Sequence, residues 1–220
     1  MGWPDVTARE HTPEGAIIAP HFRGRGDAKM AVKRKKVLLN PREGLVPMPV
    51  VLVGAAHNGR KNVMTAAWVG VACSEPPMIS VAIRPQRFTY GLVRASGEFT
   101  INLPSEEMLE ETDWAGVVSG RKVDKAERFT LVRGRKVKAP IVKECPLNLE
   151  CVVRHILNLG VHDLFIGEVV AVQADEEVLD RRGGLDTRLI RPVVFVTPTY
   201  EYVALGEPLA KFGFSRRSKG

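Results

Sequence analysis

An apolar run from Pro47 to Ala56 gives way to Asn58-Gly59, and a second strand-forming stretch starts near Asn62. Asn and Gly tolerate positive φ, so this dipeptide between two such runs signals a tight hairpin and commits this part of the chain to antiparallel β-structure. The stretch that follows, NVMTAAWVGVACSEPPMISVAIRPQRFTY from Asn62 to Tyr90, organises the rest. It reads as a strand of small and hydroxyl side chains, a Cys-Ser turn closed by two prolines, and a strand from Met78 to Arg84 with apolar residues dense enough for burial on both faces. Pro85 ends that strand, and Phe88 to Ala95 fits a short helix stopped near Gly97. Polar residues in this stretch fall mainly at strand ends and turns, where ligands are usually held.

Further along, Phe99, Ile101 and Leu103 alternate with Glu98, Thr100 and Asn102, a half-buried strand pattern. Pro104-Ser105-Glu106-Glu107 offers an N-cap hydroxyl and two first-turn acids, predicting a helix from about 106 toward 117. Strands are expected at about 147 to 157 and 161 to 173, with Gly160 in a turn and Gly167 at a bulge. An acidic surface loop over 175 to 186 leads to a last apolar strand from Val193 to Val196. Tyr200 and Tyr202 are expected to face one side, and Phe212 or Phe214 to pack before a frayed basic end. The sum is a mainly β domain with short helices over 37 to 210, flanked by a disordered or start-site-uncertain basic arm (1 to 36) and a basic tail (211 to 220).

Charge and motif counts exclude several classes. The net charge of +7 comes from the ends: residues 1 to 36 carry +4, residues 211 to 220 carry +4, and residues 37 to 210 carry −1. A nucleic-acid binder would be expected to concentrate charge on its domain, so this reading is disfavoured despite eight basic and two acidic residues over 121 to 138. No apolar run approaches the ~18 residues of a membrane span, and no secretory h-region is recognised, which predicts a cytoplasmic protein. Three cysteines without a CxxC pair read as reduced thiols, with Cys73 alone worth testing for function. GAAHNGRK at 54 to 61 fails as a phosphate loop because Arg60 intrudes and Asn62 stands where Ser or Thr should be. There is no GxGxxG, no HExxH, and GVVSG around Ser119 is not a nucleophile elbow, so Rossmann, zinc-protease and serine-hydrolase readings have no support.

The Asn62 to Tyr90 stretch, GEFTINLPSEE at 97 to 107, VSGRKVDK at 118 to 125, LECVV at 149 to 153 and HDLFIGEV at 162 to 169 occur in one order across roughly residues 45 to 210. The series resembles the flavoredoxin branch of the flavin reductase-like family. The resemblance implies an FMN-binding split β-barrel with short helices, a homodimer with flavin near the subunit interface, and redox chemistry.

FMN needs cations or backbone amides for its phosphate, hydroxyl and amide side chains for its ribityl chain, and an apolar slot with a few hydrogen bonds for its ring. For the phosphate the candidates are Arg84, Arg87, Thr89 and Tyr90, joined by Ser119, Gly120, Arg121 and Lys125; Arg87 and Arg121 are also readable as surface charges. For ribityl chain and ring they are Asn62, Met64, Thr65, Cys73 and Ser74, with simple strand packing the competing explanation. Trp68 is a candidate cover for the ring or the subunit contact, though a large strand aromatic is more often core. His162 resembles the family histidine that reaches the flavin neighbourhood, and Tyr200 is a weaker candidate for the pocket wall.

Since the cofactor carries the redox chemistry, no protein acid, base or nucleophile is demanded, and no metal is expected. The expected activity is transfer of reducing equivalents from NAD(P)H or a protein donor through bound flavin. The alternatives are a flavoredoxin-type carrier without NAD(P)H activity, a binder of nucleic acid or acidic partners, and a barrel that has lost its flavin.

Overall fold

The computed structural model describes residues 35–41 and 44–216, so expectations for most of the basic arm and for the last four residues lie outside it. The chain divides into two units, Met1–Leu39 and Asn40–Gly220. In the first, residues 35–39 form neither helix nor strand. The second holds every element of regular structure among the described residues.

In chain order these are β1 (Met48–Pro49), β2 (Val51–His57), β3 (Arg60–Ala66), β4 (Val69–Ser74), β5 (Pro77–Ile83), α1 (Phe88–Ser96), β6 (Glu98–Leu103), α2 (Leu109–Val117), β7 (Leu131–Arg133), β8 (Pro140–Val142), β9 (Leu147–Asn158), β10 (Asp163–Ala174), α3 (Thr187–Ile190), β11 (Val193–Val196) and β12 (Glu201–Ala204). Asn58 and Gly59 adopt φ of 48° and 75° between β2 and β3, the tight turn their side chains favour.

Seven strands form one antiparallel sheet in the order β3-β2-β6-β9-β10-β5-β4. Its two edges, β3 and β4, are consecutive in the chain and separated only by Ala67 and Trp68. Edges joined by so short a link must approach each other, so the sheet curls round. The core agrees: Val53 and Ala55 of β2 share one cluster with Val81 and Ile83 of β5, although three strands lie between them in the sheet order. Leu92 and Val93 of α1 enter the same cluster. A second cluster, with Leu52, Val63, Ala115, Phe129 and Val142, seats α2 and the β7–β8 ribbon on the opposite face.

Several expectations need correction. The alternation in β6 marks two buried faces, not one: Thr100 and Asn102 are fully buried. Asn102 donates to the Leu52 carbonyl (2.9 Å) and accepts from the Val142 amide (3.0 Å) and Asn148 (2.8 Å), partners far away in sequence. Ser105 makes no side-chain cap, because a 3-10 turn over Glu106–Met108 precedes α2; Glu106 and Glu107 instead bind Arg191. Val193–Val196 is not the last strand, since β12 pairs with it. Tyr200 lies in the intervening turn with φ 56°, and it and Tyr202 both touch Phe195. Phe212 and Phe214 do not pack: they are 104% and 65% exposed.

Gly167 does mark a register shift in β10, and a side chain there would strike the Phe99 ring at 2.5 Å. Gly160 turns with φ 97°. Cys145 and Cys151 are fully buried, and burial pushes both thiols up, Cys151 to about 12, which fits inert packing.

Candidate functional site

The turn after β5 closes when the Arg87 amide donates to the Arg84 carbonyl at 2.9 Å, and Arg87 then serves as the extended N-cap of α1. No side chain caps this helix and its first turn carries no acid. Its leading N–H groups and the positive end of its dipole therefore lack a side-chain anion. Thr89, in that first turn, is fully buried and accepts a 2.8 Å hydrogen bond from Asn62 Nδ2 of β3.

The loop after α2 lies directly on Asn62. A Cβ at Gly120 would come within 2.1 Å of Asn62 Oδ1, so only glycine lets the backbone pass this close. The Ser119 carbonyl accepts from the Lys122 amide (2.9 Å) and Ser119 Oγ from the Arg121 amide (3.3 Å), which tightens the bend. Asp124 then caps a 3-10 turn over Lys125–Glu127 and turns Lys125 inward.

Lys125 is 2% exposed, and its Nζ donates to the Ala115 carbonyl at 2.6 Å beside the Trp114 ring. No carboxylate pairs with it among the described residues. Burial, and secondarily the Arg87 charge, bring its pKa down to about 8. Two more cations flank the turn: Arg121 reaches the Gln86 carbonyl and lies 5.7 Å from the Phe88 ring centre, and Arg60 lies 4.4 Å from it. Sequence reasoning missed Arg60, although the period of two along β3 puts it on the face of Asn62 and Met64.

A second group adjoins the first. Arg84 Nε donates to His162 Nε2 at 3.3 Å, which assigns His162 as an acceptor there, and Trp68 stacks on the imidazole at 5.9 Å and 18°. Burial first, then Arg84 and Arg87, lower the His162 pKa from its usual value. Trp68 belongs to the link between β3 and β4 and is 51% exposed, so it is not a core aromatic.

Other candidates stand apart or are already engaged. Thr65 donates its hydroxyl to the Thr112 carbonyl, and Met64 packs partly buried against the main core. Because β3 is an edge strand, the backbone on its outer side takes no part in the ladder. Cys73 and Ser74 sit at the tip of the β4–β5 hairpin, about 20 Å along the strand from Trp68. They do not meet Arg84, because the turn lies at the opposite end of the hairpin.

Tyr90 points elsewhere too: its hydroxyl donates to Asp163 Oδ2 at 2.6 Å and accepts from Arg94 at 2.8 Å. The bond to Asp163 and burial raise its pKa. Tyr200 lies in the turn between β11 and β12 of the separate three-stranded sheet. The structure thus brings Asn62, Arg87, Thr89, Gly120 and Lys125 together, with Arg84, His162 and Trp68 alongside. Among the described residues no group of His, Cys, Asp and Glu is arranged for a metal, and no helix is long and apolar enough to cross a membrane.

This fold is that of a known class. Residues 43–204 match the flavin reductase like domain, and the chain belongs to the flavin reductase-like family, in its flavoredoxin branch; the curled seven-stranded sheet is the family's split barrel. It is similar to flavoredoxin from Methanosarcina acetivorans (33% identity, 84% of this chain and 98% of that one, TM-score 0.80). It is also similar to flavoredoxin of Desulfovibrio vulgaris (37%, 83% and 100%, TM-score 0.77). An FMN-binding protein from Thermus thermophilus with bound 1-cyclohex-2-enone aligns at 27% identity over 83% of this chain and 100% of that one (TM-score 0.68).

Among relatives, an uncharacterised Pyrococcus abyssi protein is 42% identical over 62% of this chain and 79% of its own length. The reductase component of a 4-nitrophenol 4-monooxygenase/4-nitrocatechol 2-monooxygenase from Rhodococcus opacus is 31% identical over 57% and 65%.

Proposed function

We propose that this protein binds FMN and acts as an oxidoreductase that passes reducing equivalents from NAD(P)H or a protein donor to an acceptor. The observation that carries the reading is Lys125: a buried ammonium with one carbonyl partner and, among the described residues, no carboxylate, beside Arg87 and near an uncapped helix start. A buried unpaired charge is costly, and a dianionic phosphate is the partner that this arrangement fits. Arg84, Arg87 and Lys125 supply charge, Thr89, Ser119 and the α1 amides supply donors, and Asn62 orients Thr89. The outer backbone edge of β3 at 63 to 66, with Met64 and Thr65, suits the polar rim of the ring, and Trp68 with His162 suits its neighbourhood.

The flavin, when bound, supplies the hydride and electron transfer. The chain's own residues hold the phosphate, fix the ring and bias its surroundings positive through Arg84. The likeness to two flavoredoxins favours a second reading, an electron carrier without its own NAD(P)H activity.

Exposed Ile156, Leu157, Leu159 and Val161 at the end of the β9–β10 hairpin, with half-exposed Trp68, support a homodimer. Light scattering on the purified protein tests that part: a monomer at micromolar concentration overturns it. For the cofactor, the protein is loaded with FMN and desalted, and retained visible flavin absorbance at about one per chain is expected; a colourless protein overturns the reading. Anaerobic stopped-flow mixing with NADH and with NADPH then separates enzyme from carrier, since bleaching with neither nucleotide assigns the carrier.

A further inference from the structure

A cavity of about 390 Å³ lies between two antiparallel ribbons on the side of β3 away from Asn62. One wall is the β2–β3 hairpin, where Ala56 and Lys61 are cross-strand partners; the other is the β7–β8 ribbon, where Arg133 pairs with Pro140. Ala56, Leu131, Val132 and Pro140 form an apolar floor, and Lys61, Arg133 and Lys138 ring the mouth. None of these three cations joins an ion pair among the described residues.

The walls are firmly held. At Gly54 a Cβ would come within 2.3 Å of the Pro140 carbonyl, and Thr100 donates to that carbonyl, so the ribbons touch at the base. The amides of Arg135, Lys136 and Val137 are clamped by buried Glu150 and that of Lys138 by Glu98, which fixes the loop and leaves its cationic side chains exposed. A neighbouring hollow shares Ala56 and Lys138 but is lined by Glu98 and the C-terminal end of α1, both negative. Only the first cavity suits an anion.

We propose that this cavity binds a small flat organic anion, an aromatic ring on the apolar floor with a carboxylate or phosphate between Lys61, Arg133 and Lys138. The size and the apolar floor under convergent polar groups are those of small-ligand sites, and Arg133 is able to stack on a ring as well as pair with its charge. The same chemistry is offered by an aromatic carboxylate and by a nucleotide. The site is independent of the flavin: Lys61 points to the opposite face of β3 from Asn62.

FMN-loaded protein at low salt is titrated calorimetrically with salicylate, adenosine monophosphate, inorganic phosphate and benzyl alcohol. Salicylate or the nucleotide is expected to bind below about 1 mM, at least tenfold tighter than phosphate or the alcohol, and whichever binds identifies the source. The double variant Lys61→Glu/Arg133→Glu, and separately Ala56→Leu, which fills the floor without changing charge, are each expected to weaken that binding at least tenfold while flavin content stays unchanged. Equal binding of phosphate, binding that survives both variants, or no binding at 1 mM overturns the proposal and leaves the flavin reading untouched.

Discussion

Two charges are buried in this barrel, and they are treated very differently. Glu150 on β9 is fully buried, with Oε1 accepting from the Arg135 amide and Gln173 and Oε2 from the Lys136 and Val137 amides. Burial works to raise its pKa, but the bonds from Lys136, Val137 and Arg135 outweigh it and hold the carboxyl below its usual value. Lys125 is buried almost as deeply with one carbonyl acceptor, and its pKa falls. A buried charge whose lone pairs are all met is architecture. One left short of partners is the group that the proposed phosphate would satisfy.

The largest effect should come from Glu150→Ala, which orphans three amides, that of Val137 buried, and should cost about 3 kcal/mol in urea unfolding. A loss below about 1 kcal/mol would make the nest dispensable and the contrast empty. Lys125→Met should weaken FMN binding about 100-fold, or about 2.7 kcal/mol, with no loss of stability in the flavin-free protein. If it unfolds the protein while the remaining fold keeps its flavin, Lys125 is architecture as well.

The pH dependence sharpens the same point. Folded, flavin-free Lys125 titrates near about 8, below its ordinary 10.5, so the unfolded chain binds more protons between these values and stability should rise with pH across that window. Phosphate needs the protonated ammonium, so FMN affinity should fall about tenfold from pH 7 to pH 9, and this slope should vanish in Lys125→Met. The smallest effect belongs to Tyr90→Phe, about 1 kcal/mol of stability through Asp163, with FMN affinity unchanged. A clear drop in affinity would return Tyr90 to the phosphate group.

Local chemistry made much of the fold legible in the sequence. Asn58-Gly59 encodes its turn by φ preference, and Gly167 its bulge by having no side chain to strike Phe99. What was illegible depends on distant partners. Nothing in GEFTINL says that Thr100 and Asn102 will be covered by Pro140 and Val142, and so the second buried face of β6 was missed. In the site, the ordered motifs pointed to Asn62, Thr89, Gly120 and Lys125, which do converge. Cys73 and Ser74, candidates for the ribityl chain and ring, lie at the far end of the β4–β5 hairpin from Trp68, and Arg60 was overlooked because its contact is with a ring 28 positions later.

The link of Ala67 and Trp68 has a consequence for access. Three virtual bonds from Ala66 to Val69 reach at most about 11 Å, so the seam in the wall cannot gape beyond that at this end. Any opening between the unpaired edges is therefore confined to the end bounded by Arg60 and Ser74.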